Sequence, residues 1–533
     1  MFEFEAIIVF ITLIVLFSYL AETVNIPYPI VLMLLGLGLG YFPYATRLSH
    51  FTISREILLP LFLPPILFWG AMLTNWHQFK RYWLIISSLG VLLVLVTSFL
   101  VAFIVNQLYP GLGFMPALLL GAIISPSDAV CATAVLSRLG LSSRIINILE
   151  GESLINDAAG IVLYNFALST LLYHSSMFSH PVWGFCVVAV GGIVVGAVIG
   201  LLFGFVFHHL SHSLSGKRDA SLPIIVSLVI PYFVYYAGEK LGVSSVLAVV
   251  SAGMCIRLIG DQKMEASSRL RGVPVWDTLI FILNGLIFIM LGLEFPKVIS
   301  RATSIIPLSS LIELTVVVLI SIVLVRVVWV YASAKLLRAT ESWKDNLLIA
   351  WSGMRGIVSL ALALSIPTVS QKLSSHGDLI LLVTREVILF VTVMTILFTV
   401  VVQGLSLPWL VKRLKLQKPE KTNHLKMMNV FERLTQETIE KIQKTEVDEA
   451  DYLQEAKVYL LNHYQNRLQY QQIRSSLNSD KDIQKNQRLQ QVIFQYYRYE
   501  RKELRRLYRE GKIDMEIFSH LMHYLDMEEA KHL

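Results

Sequence analysis

The sequence predicts an all-α, polytopic membrane protein followed by a helical tail outside the membrane, and three observations lead there. Of 533 residues, 55% are apolar and only 16% charged, against about 25% charged in an average soluble chain. Mean hydropathy is +0.62. The charge is also unevenly placed. Residues 1–418 hold 26 Lys and Arg with 19 Asp and Glu, whereas residues 419–533 hold 19 of each in a much shorter stretch. The net charge of +7 therefore belongs entirely to the apolar part. A basic balance can signal nucleic acid, but here the cations sit between apolar runs and form no basic face interleaved with aromatics. Nucleic acid is set aside as a partner.

A bilayer core takes roughly 20 apolar residues per helix. Cutting the apolar part at charge clusters and at Pro, Gly and Asn turns gives thirteen segments. They are 4–22, 26–43, 57–79, 82–108, 112–137, 147–172, 182–210, 221–238, 243–260, 275–295, 307–337, 345–369 and 378–412. The first starts with Glu3 and Glu5 and has no basic region before its apolar run, which reads as a membrane helix and not a cleaved signal. With the N-terminus outside, inner loops collect seventeen Lys and Arg, among them Lys80, Arg81, Arg138 and Arg144. Outer loops collect seven, Arg385 among them. That bias orients the segments and puts the tail in the cytoplasm.

Two segments are interrupted. The fifth contains Ser125-Pro126-Ser127-Asp128 and the twelfth Gly353-Met354-Arg355-Gly356. If segments one to six and eight to thirteen are two repeats about a linker helix, each break falls on the fifth member. Pro and Gly often do no more than kink a membrane helix. Charged residues inside both breaks, at matching places in two halves, point instead to a transporter site.

The domain boundary is placed at 418/419. Beyond it Glu, Gln, Lys, Arg and Leu dominate, and Leu489, Ile493, Tyr496, Glu500, Leu504 and Leu507 recur at helical spacing after a break and N-cap at Asn478-Ser479-Asp480. This predicts a helical domain or coiled coil without catalytic residues. Its partner is not legible.

The densest chemistry is Glu150-Gly151-Glu152-Ser153-Leu154-Ile155-Asn156-Asp157, leading into the apolar sixth segment. On a helix Glu152 and Asn156 share a face, as do Ser153 and Asp157. Hard cations take oxygen ligands of these kinds, and a carboxylate within the bilayer normally faces a partner or a wet cavity. Glu150 reads as a headgroup-level residue. At Pro126 the helix loses a backbone donor, so carbonyls and the Ser127 hydroxyl become free to act as ligands. Asp128 is open to two readings, a ligand or a partner for the positive end of the following half-helix. Arg355 stays protonated and needs an anion, with Glu152, Asp157 and Asp128 as candidates. A Glu152–Arg355 pair would leave Asp157 as the titrating group. Arg326 reads as a snorkelling or helix-bridging cation, and His208, His209 and His212 as a solvated cytoplasmic loop. Cys131, Cys186 and Cys255 lack the spacing of a zinc site or disulfide framework. No cofactor is expected. The chain has no HExxH, GxSxG or GxGD, which sets aside an intramembrane enzyme.

Together the Glu152-Ser153 and Asn156-Asp157 pairs, the Ser125–Asp128 break, the Leu63-Pro64-Pro65-Ile66 run and the Gly353–Gly356 segment resemble the sodium/proton exchangers of the monovalent cation:proton antiporter-1 family. The resemblance covers about 1–415. Tyr508-Arg509-Glu510-Gly511-Lys512-Ile513 looks like the cytoplasmic helices of bacterial members. It implies an NhaA-like fold of about thirteen helices in inverted repeats, a homodimer in the lipid of the plasma membrane, and a secondary antiporter serving pH and sodium homeostasis. By the same resemblance, the transported cation falls on Asp157, Asn156 and Ser153, with the crossover pair on Ser127 and Asp128. The stabilising ion pair falls on Glu152 and Arg355. Sodium is the first expectation for the cargo, with lithium or potassium as variants. A potassium/proton antiporter or a cation channel is the alternative. Relatives often carry an acidic residue four positions after the second Pro of the Pro-Pro run, and here that position is Trp69. With Asn at 156 and Glu152 neutralised, one carboxylate remains per cation, so exchange is expected to be electroneutral.

Overall fold

The computed structural model describes residues 2–24, 26–41, 55–136, 139, 141, 143–173, 181–213, 221–263, 266–337, 342–367, 376–416, 420–444, 451–475, 480–510, 512 and 514–530. The chain divides into two compact units, Met1–Gln417 and Lys418–Leu533. No strand occurs among the described residues.

The first unit opens with α1 (Phe2–Val24), α2 (Tyr28–Tyr41), α3 (Arg55–Leu73), α4 (Trp76–Arg81), α5 (Trp83–Ser87) and α6 (Leu93–Leu108). It continues through α7 (Phe114–Ile124), α8 (Ala129–Leu136), α9 (Ser143–Tyr173), α10 (Pro181–Ser213), α11 (Ser221–Lys240) and α12 (Ser245–Lys263). It ends with α13 (Ala266–Thr303), α14 (Leu308–Leu337), α15 (Trp343–Trp351), α16 (Ile357–Ser365), α17 (His376–Phe398) and α18 (Gly404–Leu414). Helix lies in every one of the thirteen segments cut from the sequence. Among the described residues, seven stretches are long and apolar enough to cross a membrane by length and composition, and five further apolar helices are shorter. Two π-helical turns, Ser88–Leu92 and Thr399–Gln403, join α5 to α6 and α17 to α18. Both flank the site described below, and such turns are frequent at functional sites.

Hydropathy that faces outward is as informative as the core. On α10 Val187, Val190, Val194 and Val198 are each about half exposed. In water such a face would be a large apolar patch; in a bilayer it is solvated by lipid. Polar residues are instead turned inward, where Glu152, Asn156, Arg326, Arg355, Arg385 and Glu386 are all buried. Arg385 is thus not the outer-loop cation the charge pattern suggests. It is among the largest fully buried side chains, paired with Glu386 beside it, and its Nε donates to the Ile366 carbonyl just after α16. His208, His209 and His212 lie in the last two turns of α10 and not in a loop; their side chains fall outside the described residues.

Among its described residues the second unit has four helices: α19 (Glu420–Lys444), α20 (Asp451–Ser475), α21 (Asp480–Arg509) and α22 (Met515–Ala530). α21 is strongly one-faced, with Leu504 buried. Tyr508 stacks on Phe518 at 4.8 Å, and Arg501 pairs with Asp526 at 2.6 Å, tying α21 to α22. Residues 476–479, where the sequence suggests a break, lie outside the described residues.

Candidate functional site

Two broken helices and one continuous helix build the site. α7 stops at Ile124 and α8 starts at Ala129; α15 stops at Trp351 and α16 starts at Ile357. Pro126 supplies the first interruption by removing a donor. Gly353 and Gly356 permit the second. The breaks touch: the Asp128 N–H donates to the Met354 carbonyl at 2.7 Å. A methyl group on Gly356 would run into the Asp128 side chain, and one on Gly353 into the Arg326 guanidinium. Glycine at these two positions is therefore a packing requirement.

Arg355 binds the carbonyls that the breaks release. Its Nε donates to Ile124 O at 2.7 Å and its guanidinium to Gly353 O, while its backbone N–H donates to Thr399 Oγ1 at 3.0 Å in the second π turn. The ion pair expected between Glu152 and Arg355 forms instead between Glu152 and Arg326. Arg326 reaches in from α14 and grips both carboxylate oxygens, with the Nη2–Oε2 distance 2.9 Å. Its other donors take the Ala350 and Ile349 carbonyls at 3.2 Å, capping the buried C-terminal end of α15. The physical reason for the exchange of partners is donor geometry. Arg355 sits inside a break and is consumed by nearby carbonyls, whereas Arg326 presents a planar fork to a carboxylate. The snorkelling role expected for Arg326 is likewise replaced, since this side chain is 3% exposed.

On α9 the candidate ligands converge on the first break. Asn156 Nδ2 donates to Ser127 O at 2.8 Å and to Ser127 Oγ at 2.9 Å, and Ser127 Oγ donates to Glu152 Oε1 at 2.6 Å. Ser153 Oγ accepts the Ala129 N–H at 3.3 Å, so it caps the start of α8. With its amide nitrogen so held, Asn156 turns its oxygen inward. Asn156 Oδ1 is buried without a hydrogen-bond partner, the orphaned acceptor that a cation would satisfy. Asp157, 6% exposed, lies within the electrostatic reach of Asp128. Two like charges held together inside a protein favour a cation or a proton between them. All seven candidate residues are thus brought to one place, at the crossing of the two breaks.

Sequence reasoning missed two features. One is Arg326 as the partner of Glu152, which a lone Arg in a continuous apolar run does not announce. The other concerns Trp69. Its indole lies flat on Trp276, with centroids 5.3 Å apart at 3°, and its Nε1 donates to Asp277 Oδ1 at 3.1 Å. A carboxylate therefore does stand beside position 69, contributed by α13.

The chain is similar to the sodium, potassium, lithium and rubidium/H(+) antiporter of Bacillus pumilus, with 28% identity over 422 residues, 75% of this chain. It spans 61% of the length of that relative. It is 29% identical to the uncharacterized Na(+)/H(+) exchanger YjcE of Escherichia coli K12, covering 98% of both chains. Its fold matches the solved structure of the sodium proton antiporter MjNhaP1 from Methanocaldococcus jannaschii, with a TM-score of 0.63 and 24% identity over 78% of this chain and all of that one. The family model for the sodium/hydrogen exchanger transmembrane region matches residues 8–413. The crossed breaks and buried carboxylates thus belong to a secondary transporter, and the chain is a member of the sodium/hydrogen exchanger family.

Proposed function

We propose that the protein exchanges a monovalent cation, sodium first, for protons across the plasma membrane, one for one. The observation that carries this reading is the division of labour on α9. Glu152 is neutralised by Arg326, and Asp157, one residue from the orphaned Asn156 oxygen, is the other carboxylate that this helix brings to the crossing. Asp157 takes either the cation or a proton and never both, and this competition couples the two fluxes. Asn156 Oδ1 and the backbone and hydroxyl oxygens of Ser127 serve as further ligands, Ser153 fixes the start of α8, and Asp128 adds charge beside the ion. Arg355 and Arg326 hold the crossing against electrostatic collapse.

In this reading the first unit crosses the membrane thirteen times as two inverted repeats with the N-terminus outside. The chain works as a homodimer for pH and sodium homeostasis, and the tail is cytoplasmic. Potassium is the second cargo to test, because the Bacillus relative is named an antiporter of potassium as well as sodium. The test is dissipation of an imposed pH gradient in proteoliposomes, scanned across sodium, lithium and potassium for the wild type and for Asp157→Asn. Exchange is expected in the wild type and is abolished in Asp157→Asn, with the variant's unfolding temperature retained. Sodium-driven proton flux at the wild-type rate in Asp157→Asn would refute the assignment.

A further inference from the structure

The helix that carries Asp157 has a second face. Leu154, Ile155, Ala158, Ala159 and Val162 form one stripe of α9, turned away from Ser153 and Asp157 by the 3.6-residue repeat. This stripe is one wall of a cavity of about 370 Å³, closed elsewhere by α4, α10, α12 and the first π turn. Its surface is apolar. Ser251 is the one hydroxyl on it, already committed to the Ile193 and Ala248 carbonyls, and the Trp76 indole stands at the exposed lip. The cavity therefore offers a cation no free oxygen ligand, which sets it apart from the cation site.

Two lining residues are also exposed, Trp76 at 40% and Ile193 at 46%, so the cavity opens on the apolar outer face of the unit. Ile193 lies on the same side of α10 as the exposed Val190 and Val194. At the other lip, Trp76 and Phe79 stack at 6.0 Å on α4, and Lys80 and Arg81 complete that short helix, both exposed. Lys80 is one turn beyond Trp76 and so shares its face. Aromatic and basic side chains side by side mark the level of the lipid headgroups. An apolar volume opening on hydrocarbon, with Lys80 and Arg81 on the same short helix as the lining residues Trp76 and Phe79, matches one ligand in shape and charge.

We infer that this cavity binds an acyl chain of an anionic phospholipid, whose headgroup sits at Lys80 and Arg81. The chain lies along the back of α9, between the ion-carrying helix and α10 and α12. Occupancy bears on how α9 moves against them and leaves the ligands of the cation untouched. The small residues Ala158, Ala159 and Ala189 create the volume, and one large side chain fills it.

The test uses the full chain, stripped of lipid in detergent and incubated with phosphatidylglycerol bearing a photoreactive diazirine on its acyl chain. Adducts are expected on α9 and α10 around 154–162 and 189–193, about tenfold above those on the exposed face of α14 at Ile320, Leu324 and Val328. Ala189→Trp, or Val91→Phe from the opposite wall should the first fail to fold, removes those adducts and spares the ones on α14. Replacing Lys80 and Arg81 by Gln brings labelling by phosphatidylglycerol down to that by phosphatidylcholine. Equal labelling of α10 and α14, or wild-type labelling in both filled variants, would overturn the inference. So would an Ile193→Cys variant that forms a disulfide with a second copy while acyl adducts are absent, which would assign this lip to a protein interface. Cation exchange is not the readout, so the outcome is independent of the transport assignment.

Discussion

Arg326 and Arg355 show how two buried arginines in one site acquire different duties. Arg326 meets a carboxylate with both ends of its fork, and Arg355 meets carbonyls. Removing one partner of a buried pair leaves an uncompensated charge and costs about 3–5 kcal/mol, while replacing both is far milder. Arg326→Ala and Glu152→Ala are each expected to lower the unfolding temperature in detergent strongly, with the double variant melting above the worse single one. No such rescue is expected for Glu152 combined with Arg355. A second residue-scale prediction concerns Asp277. Its bond to the Trp69 indole sets a carboxylate next to the position where relatives often carry one. Asp277→Asn is expected to raise the apparent KM for sodium several-fold with kcat little changed, as removal of an accessory binding charge does. An unchanged KM would make Asp277 merely a hydrogen-bond partner of Trp69.

At the scale of elements, the decisive feature is that two helices stop in the buried interior of the first unit and meet there. Pro126, Gly353 and Gly356 made both breaks legible in the sequence, because these residue types act through local backbone chemistry. The Glu152–Asp157 run was legible for a similar reason, being a dense polar patch in an apolar helix. The partner of Glu152 was not. Two cations were available, and the choice depends on where α14 packs, which no local pattern encodes. Arg385 was misread on the same ground: lying near a predicted segment end, it looked like a loop cation, although it is buried beside Glu386 and bonded to the carbonyl of Ile366. The crossing yields its own prediction. Since a methyl group on Gly356 would collide with Asp128, Gly356→Ala is expected to displace the first break and reduce exchange at least tenfold. Transport at the wild-type level in Gly356→Ala would show that the contact between the breaks is dispensable.

For the whole molecule, a count of charges governs the energetics of the cycle. Glu152 is spent on Arg326, and position 156 carries an amide that ligates a cation but holds no proton. Of the carboxylates that α9 brings to the crossing, Asp157 is then left, and the proposed trade of one monovalent cation for one proton on it would carry no net charge across the membrane. Asp128 is the residue that could alter this count, because it shares the site and carries a charge of its own. The most direct measurement is the sodium gradient at which proton flux reverses in proteoliposomes, taken with the membrane potential clamped at zero and again at about 100 mV. Across such a potential one unbalanced elementary charge is worth about 2.3 kcal/mol. The account predicts the same reversal gradient at both potentials. A reversal gradient that moves with potential would mean that a second carboxylate, Asp128 or Glu152, travels charged through the cycle, and would contradict exchange on Asp157 alone.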